Sequence, residues 1–208
     1  MKKSKNNKKM QNTIYSNFKD SLNYVKESRN YIYFSIGLFL IFLFIAIIFP
    51  TSVELDSQIK LLIKSLILKT QNLNPLELVA FIFVNNLSVA IIAILFGVFF
   101  CIAPLIIAAS NGYVLGYVIK ALVESLGALK AILSLWKLLP HGIFELPAIF
   151  IGLGIGLKMG TLLISSLNKS SFKLFLDNLW KSIKIIFYVI LPLLIIAATI
   201  EGILIKIL

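Results

Sequence analysis

"LELVAFIFVNNLSVAIIAILFGVFFCIAPLIIAASNGYVLGYVI", residues 76 to 119, runs for 44 residues with a single charged side chain, Glu77. As one helix rising 1.5 Å per residue it would measure about 66 Å, twice a hydrocarbon core of about 30 Å. The stretch therefore has to cross a membrane, turn and cross back. Gly97 is the natural break, giving one span from about Leu76 to Phe96 and another from about Val98 to Ile119. A start signal stands at "NPLE", with Asn74 as cap, Pro75 in the first turn and Glu77 at the capping-box position.

Three further spans lie outward of this pair. Upstream, "YIYFSIGLFLIFLFIAIIF" is a first crossing that opens on the interfacial aromatics Tyr31 and Tyr33 and stops at Pro50. Between it and Asn74, "TSVE" fits a capping box at Thr51 to Glu54. The helix it opens sets Ile59, Leu62, Ile63 and Leu66 against Asp56, Lys60 and Lys64, the pattern of an interfacial helix. Downstream, "VESLGALKAILSLWKLL" is amphipathic through Leu129, Ile132, Leu133 and Trp136. Pro140 then opens a fourth span, roughly His141 to Ile164. "NKSSFKLFLDNLWKSIK" is another surface segment, and a fifth span runs from about Ile185 to Ile205 with Pro192 and Glu201 inside it.

The expected fold is all-α, a polytopic transmembrane bundle of about five spans with interfacial helices. Two regions are distinguished: residues 1–30, a basic cytoplasmic arm and interfacial helix, and residues 31–208, the transmembrane domain. Residues 1–10 are polar and expected to be disordered, whereas Ile14, Phe18, Leu22 and Val25 mark one side of a surface helix. Apolar residues make up 59% of the 208, which leaves no room for a sizeable soluble domain beside five spans.

The net charge of +11 points to lipid and not to nucleic acid. Five lysines fall within the first nine residues and the others flank apolar runs, so anionic headgroups at the amino-terminal arm are the expected partner. With the amino terminus inside, 13 of the 20 Lys and Arg residues collect on the cytoplasmic side, counting Lys158 as reaching there. That places the chain in the plasma membrane with its carboxyl terminus outside. Cys101, the lone cysteine, excludes an internal disulfide and a thiolate metal site of its own.

Within these spans a polar set recurs at one depth. His141 and Glu145, at i and i+4, share a helix face near the outer end of the fourth span. Asn85 and Asn86 in the second span, Asn111 in the third and Glu201 in the fifth fall in the same half. Membrane carboxylates generally face partners or water, so these six residues are read as one buried cluster, structural or ligand-binding. The plainer alternatives are an interfacial His141 behind a helix-starting proline and a Glu201 at headgroup level beside Lys206. Two small-residue ladders, Ala108, Gly112 and Gly116 on the third span and Ala148, Gly152, Gly156 and Gly160 on the fourth, are read as packing surfaces. The expectation is that these two spans pack on each other along them, carrying Asn111 towards Glu145. Pro147 leaves a carbonyl free beside the pair.

Catalytic signals are weak. One His and one Cys make a poor zinc site, and G-x-S-x-G, Walker and dinucleotide motifs are absent. No metal or cofactor is expected.

"NNLSVA" at 85–90, "APLIIAASNGYVLG" at 103–116 and "LPHGIFELPAIFIGLGIGLKMG" at 139–160 resemble the signature blocks of the stage II sporulation protein M family. The resemblance covers about residues 30 to 208, and its most specific core is His141, Gly142, Glu145 and Pro147. It implies a multi-span membrane protein which, in spore-forming bacteria, belongs to a complex with peptidoglycan-cutting enzymes that drives engulfment. Members also occur in lineages without spores, and no catalytic residue is carried over. A non-enzymatic scaffold or anchor for other membrane or envelope proteins is the leading expectation. A small transporter or channel using the polar cluster comes second, and an intramembrane hydrolase third. A homo-oligomer is an alternative partner arrangement.

Overall fold

In the computed structural model, backbone is described for residues 2–99, 101–165 and 169–207, and side chains for 12–99, 101–133, 142–165 and 172–203. All described secondary structure is helical. The helices are α1 (Lys2–Glu27), α2 (Arg29–Ile48), α3 (Val53–Thr70), α4 (Pro75–Gly97), α5 (Ile102–Leu126) and α6 (Ala128–Ser165). Then α7 (Lys169–Ile185) passes through a π-helical turn (Ile186–Ile190) into α8 (Leu191–Ile207). Five segments are long and apolar enough to cross a membrane: α2, α4, α5, Gly142–Ser165 of α6, and Phe172–Ile203. Here the end of the bundle where α2 begins is the first face, and the end where α2 finishes is the second.

The sequence sets most boundaries through local chemistry. Asn74 and Glu77 close both bonds of a capping box, the Glu77 amide donating to Asn74 Oδ1 at 3.0 Å and the Asn74 amide donating to Glu77 Oε2 at 2.8 Å. At α3 the cap is Ser52, one residue later than Thr51, because its Oγ accepts from the Leu55 amide at 3.3 Å. The reversal between α4 and α5 is displaced from Gly97, which closes α4. The left-handed residue is Cys101, with φ 64°. Gly97 is needed for packing: a Cβ there would collide with the Gly156 backbone.

Two elements run longer than expected. α6 is continuous for 38 residues through Pro140, so the amphipathic segment and the fourth span form one helix of about 57 Å. α1 is helical from Lys2, which corrects the expectation of disorder over residues 1–10; lysine is a good helix former and extends a helix anchored further along. The π turn lies just before Pro192, whose missing N–H cannot serve the Tyr188 carbonyl four residues back. A wider turn accommodates that loss and the bulk of the ring, and the Leu191 amide donates to the Ile186 carbonyl across it.

α6 is the central helix. Of its membrane-length portion 56% is buried, against 17% to 28% in the other four, and it touches α2, α4, α5 and α8. Both small-residue ladders lie at buried seams, but the third and fourth spans do not meet along them. Gly152, Gly156 and Gly160 of α6 lie on Ala90, Ala93 and Gly97 of α4, whereas Gly112 and Gly116 of α5 lie on Phe39 and Leu43 of α2. Ala108 and Ala148 are likewise buried. Periodicity marks a smooth face but does not choose its partner, and here two faces find two different helices. Phe39 and Phe150 bridge α2 and α6 edge to face, with centroids 5.3 Å apart. Phe34, Phe44, Leu95, Ile106, Phe187 and Ile195 face outward, as an apolar solvent requires.

Candidate functional site

The seam between α4 and α6 sets the level of the polar residues. These helices run parallel, Ala90 opposite Gly152 and Gly97 opposite Gly160. Continued towards the second face, that register brings Asn86 alongside the turn that holds Glu145 and Ala148. The Asn86 side chain is buried on the side of α4 that faces Glu145. Its Oδ1 accepts from Asn85 Nδ2 at 3.4 Å.

A third helix completes the group. Glu201 of α8 is only 8% exposed. Its Oε2 has no hydrogen-bond partner among the described residues. Gly202, next along α8, approaches Val79 of α4, so α4, α6 and α8 converge here. Asn86, Glu145 and Glu201 are thus brought together from three helices, with Asn85 at the exposed edge. Asn111 does not join them. It is exposed on α5, and its Nδ2 donates to the Ile107 carbonyl of its own helix at 2.8 Å, because the packed face of α5 is the Gly112 and Gly116 face turned to α2. The side chain of His141 lies outside the described residues. Among the described residues no three His, Cys, Asp or Glu side chains gather in a metal-ligating group.

The family model for Stage II sporulation protein M matches residues 35–204, from within α2 to within α8. This chain belongs to the stage II sporulation protein M family. Neither the curated proteins nor the solved structures contain a match to it. The family-matched region holds Asn86, Glu145 and Glu201, and it excludes α1.

A second polar centre, at the first face, joins the family-matched region to α1. Lys158 of α6 is the one charged residue between Leu146 and Asn168, and its side chain is 13% exposed. Its Nζ lies 3.9 Å from the centroid of the Tyr24 ring, 3.2 Å from Ser28 Oγ and 4.0 Å from Glu27 Oε2. Lys181 of α7 approaches the same ring, at 5.5 Å. Burial pushes the Tyr24 phenol up to about 12 from its ordinary 10.0. Nearby, Lys184 Nζ donates to Asn17 Oδ1 at 2.9 Å, and Asn17 Nδ2 donates to Tyr188 Oη at 3.3 Å.

The docked side of α1 is therefore the stripe Asn17, Ser21 and Tyr24, continued by Ser28 just beyond its end, while Ile14, Phe18 and Leu22 remain exposed. Sequence reading had singled out only the second stripe. The signals for the first were a lone lysine deep in an apolar run and three serine or tyrosine residues at helical spacing.

At the second face α3 is held by Tyr117, whose hydroxyl donates to Asp56 at 2.6 Å, and by Tyr113, whose hydroxyl donates to Thr51 at 3.4 Å. Lys60 pairs with Asp56 at 2.7 Å. The Lys60 and Tyr117 hydrogen bonds hold the Asp56 carboxyl below its usual range.

Proposed function

We propose that this protein is a non-enzymatic scaffold of the plasma membrane, with its amino terminus in the cytoplasm and its carboxyl terminus outside. The supporting observation is the amino-terminal part of α6, where Leu129, Ile132 and Leu133 are exposed on one face. An exposed apolar stripe of this kind is a surface for a protein partner. The orientation is supported by charge: α1, the end of α6 and α7 share the first face and carry most of the basic residues. Anionic lipid is the partner proposed for the basic arm.

A photo-crosslinking residue at Leu133 tests this reading, with the lipid-facing Ile195 as control. Reproducible protein adducts at Leu133 and none at Ile195 are expected. Adducts at neither position, or at both equally, would remove the basis for a scaffold.

The buried Glu201 and its Glu145 neighbour favour a second reading, a small transporter or channel whose solute meets these groups. Flux into proteoliposomes that disappears in Glu145→Gln supports it, and flux unaltered by that change removes Glu145 from any such mechanism.

A further inference from the structure

The cations of the first face divide into two sets. Lys158, Lys181 and Lys184 are engaged within the protein, on Tyr24, Ser28 and Asn17. Lys26, near the end of α1, and Arg29, which opens α2, are exposed, and neither side chain has a hydrogen-bond or ion-pair partner among the described residues. Both line one groove of about 560 Å³ on the flank of α2 and α6. Glu27, which stands beside Lys26 in the sequence, points elsewhere, to Lys158 and to the cleft between α1 and α7. No carboxylate lines the groove among the described residues.

Below the two cations the groove is apolar, walled by Ile32 and Ile36 of α2 and by Pro147 and Phe150 of α6. Two contacts fix the register of these walls: a Cβ on Gly154 would fall on Ile32, and Ser35 Oγ lies 3.5 Å from the Phe150 carbonyl. Ile36 therefore stands about 10 Å below Arg29, and Pro147, three residues past Phe150, roughly 4 Å deeper than Phe150. That depth is close to one leaflet, half of a hydrocarbon core of about 30 Å. α1 packs mainly on α7 and the π turn, which leaves this flank of α2 and α6 open.

We propose that the groove binds one anionic phospholipid, its phosphate between Lys26 and Arg29 and one acyl chain along Ile32, Ile36, Pro147 and Phe150. A guanidinium meets two phosphate oxygens with parallel N–H groups, and the ammonium adds a compact second charge. A zwitterionic lipid would set its own cation against that pair, and a second copy of this chain, itself carrying +11, would add positive charge to it. An anionic lipid matches both the mouth and the wall. The site is distinct from the attraction of the basic arm to lipid, and it does not depend on the scaffold reading.

Native mass spectrometry of the full chain in mild detergent, titrated with phosphatidylglycerol or with phosphatidylcholine of the same acyl chains, tests this through the first lipid bound. Phosphatidylglycerol should bind more tightly. Lys26→Gln with Arg29→Gln should weaken it by roughly thirtyfold and remove the preference. Ile36→Trp, which fills the apolar part, should weaken it with both cations intact. Neutralising Lys2, Lys3, Lys5, Lys8 and Lys9 to Gln should leave the first lipid in place. Equal affinity for the two lipids overturns the proposal, as does wild-type affinity in the double variant or displacement by glycerol phosphate at the lipid's own concentration. Loss confined to the arm variant overturns the groove and leaves the arm's affinity standing. A lipid-free dimer that disappears in the double variant would assign the groove to a second copy. Should the double variant fail to fold, wild type labelled by phosphatidylglycerol with a photoreactive acyl chain carries the test: adducts should concentrate at Ile32, Ile36, Pro147 and Phe150, and labelling spread evenly to Phe44 and Ile195 sinks the site.

Discussion

The ammonium of Lys158 rests 3.9 Å from the centre of the Tyr24 ring, joining α6 to α1 across the first face. Each residue solves the other's problem. The lysine sits within an apolar run where it would otherwise be desolvated without compensation, and the ring is the largest fully buried side chain in α1. Because α1 lies outside the family-matched residues, this contact is how the family's bundle acquires its basic arm.

Replacing Tyr24 should release that arm. Tyr24→Ala removes a buried ring, a loss of about 3–5 kcal/mol by analogy with buried Phe, whereas Tyr24→Phe removes a hydroxyl whose oxygen lacks a hydrogen bond of good geometry and should cost about 1 kcal/mol or less. Hydrogen exchange over residues 12–27 reports the difference. Equal effects from both variants would contradict the ring as the anchor.

Alkaline titration offers an independent check. Tyr24 has a folded value near 12 against 10.0 free, so its contribution to docking is fully present below pH 10 and is lost as pH rises through about 12. Tyrosinate absorbance of wild type minus Tyr24→Phe should show one late-titrating phenol. A difference spectrum that titrates near 10 would mean that the ring is exposed.

The seam between α4 and α6 should not admit a side chain. Gly156→Ala puts a methyl against the Ala93 carbonyl, backbone against backbone, and should destabilise by roughly 1–3 kcal/mol. Gly37→Ala meets nothing within 4 Å and sits in a helix interior, so it should stabilise by up to about 1 kcal/mol. Thermal unfolding in detergent of both variants beside wild type measures the contrast.

The attachment of α3 should depend on acid. With the Asp56 carboxyl held below its ordinary 3.8 by Lys60 and Tyr117, docking is intact above pH 3.8 and weakens as pH falls through the lower folded value. Tyr117→Phe should loosen α3 at neutral pH as well. A spin label at Leu62 would record greater mobility in both cases, and unchanged mobility in Tyr117→Phe would show that the hydroxyl does not hold the helix.

The reading of the sequence reached five crossings because length and hydropathy decide them, and it reached the Asn74 cap because capping is local. Asn86, Glu145 and Glu201 were visible as polar groups at one depth. The direction of Asn111 was not, since that depends on which helix the Gly112 face selects, a choice made by shape between distant parts of the chain. The join of α1 to Lys158 was hidden for a related reason. A polar stripe beside an apolar one reads as its solvated back, until a buried lysine on another helix turns it into the inner side.

Backbone packed on backbone along Gly152, Gly156 and Gly160 also determines where motion resides. Two helices interlocked in this way slide past one another only by separating, so α4 and α6 travel as one body. A displacement of α8 against that body would have to be taken up where α8 joins α7, at the widened turn Ile186–Ile190.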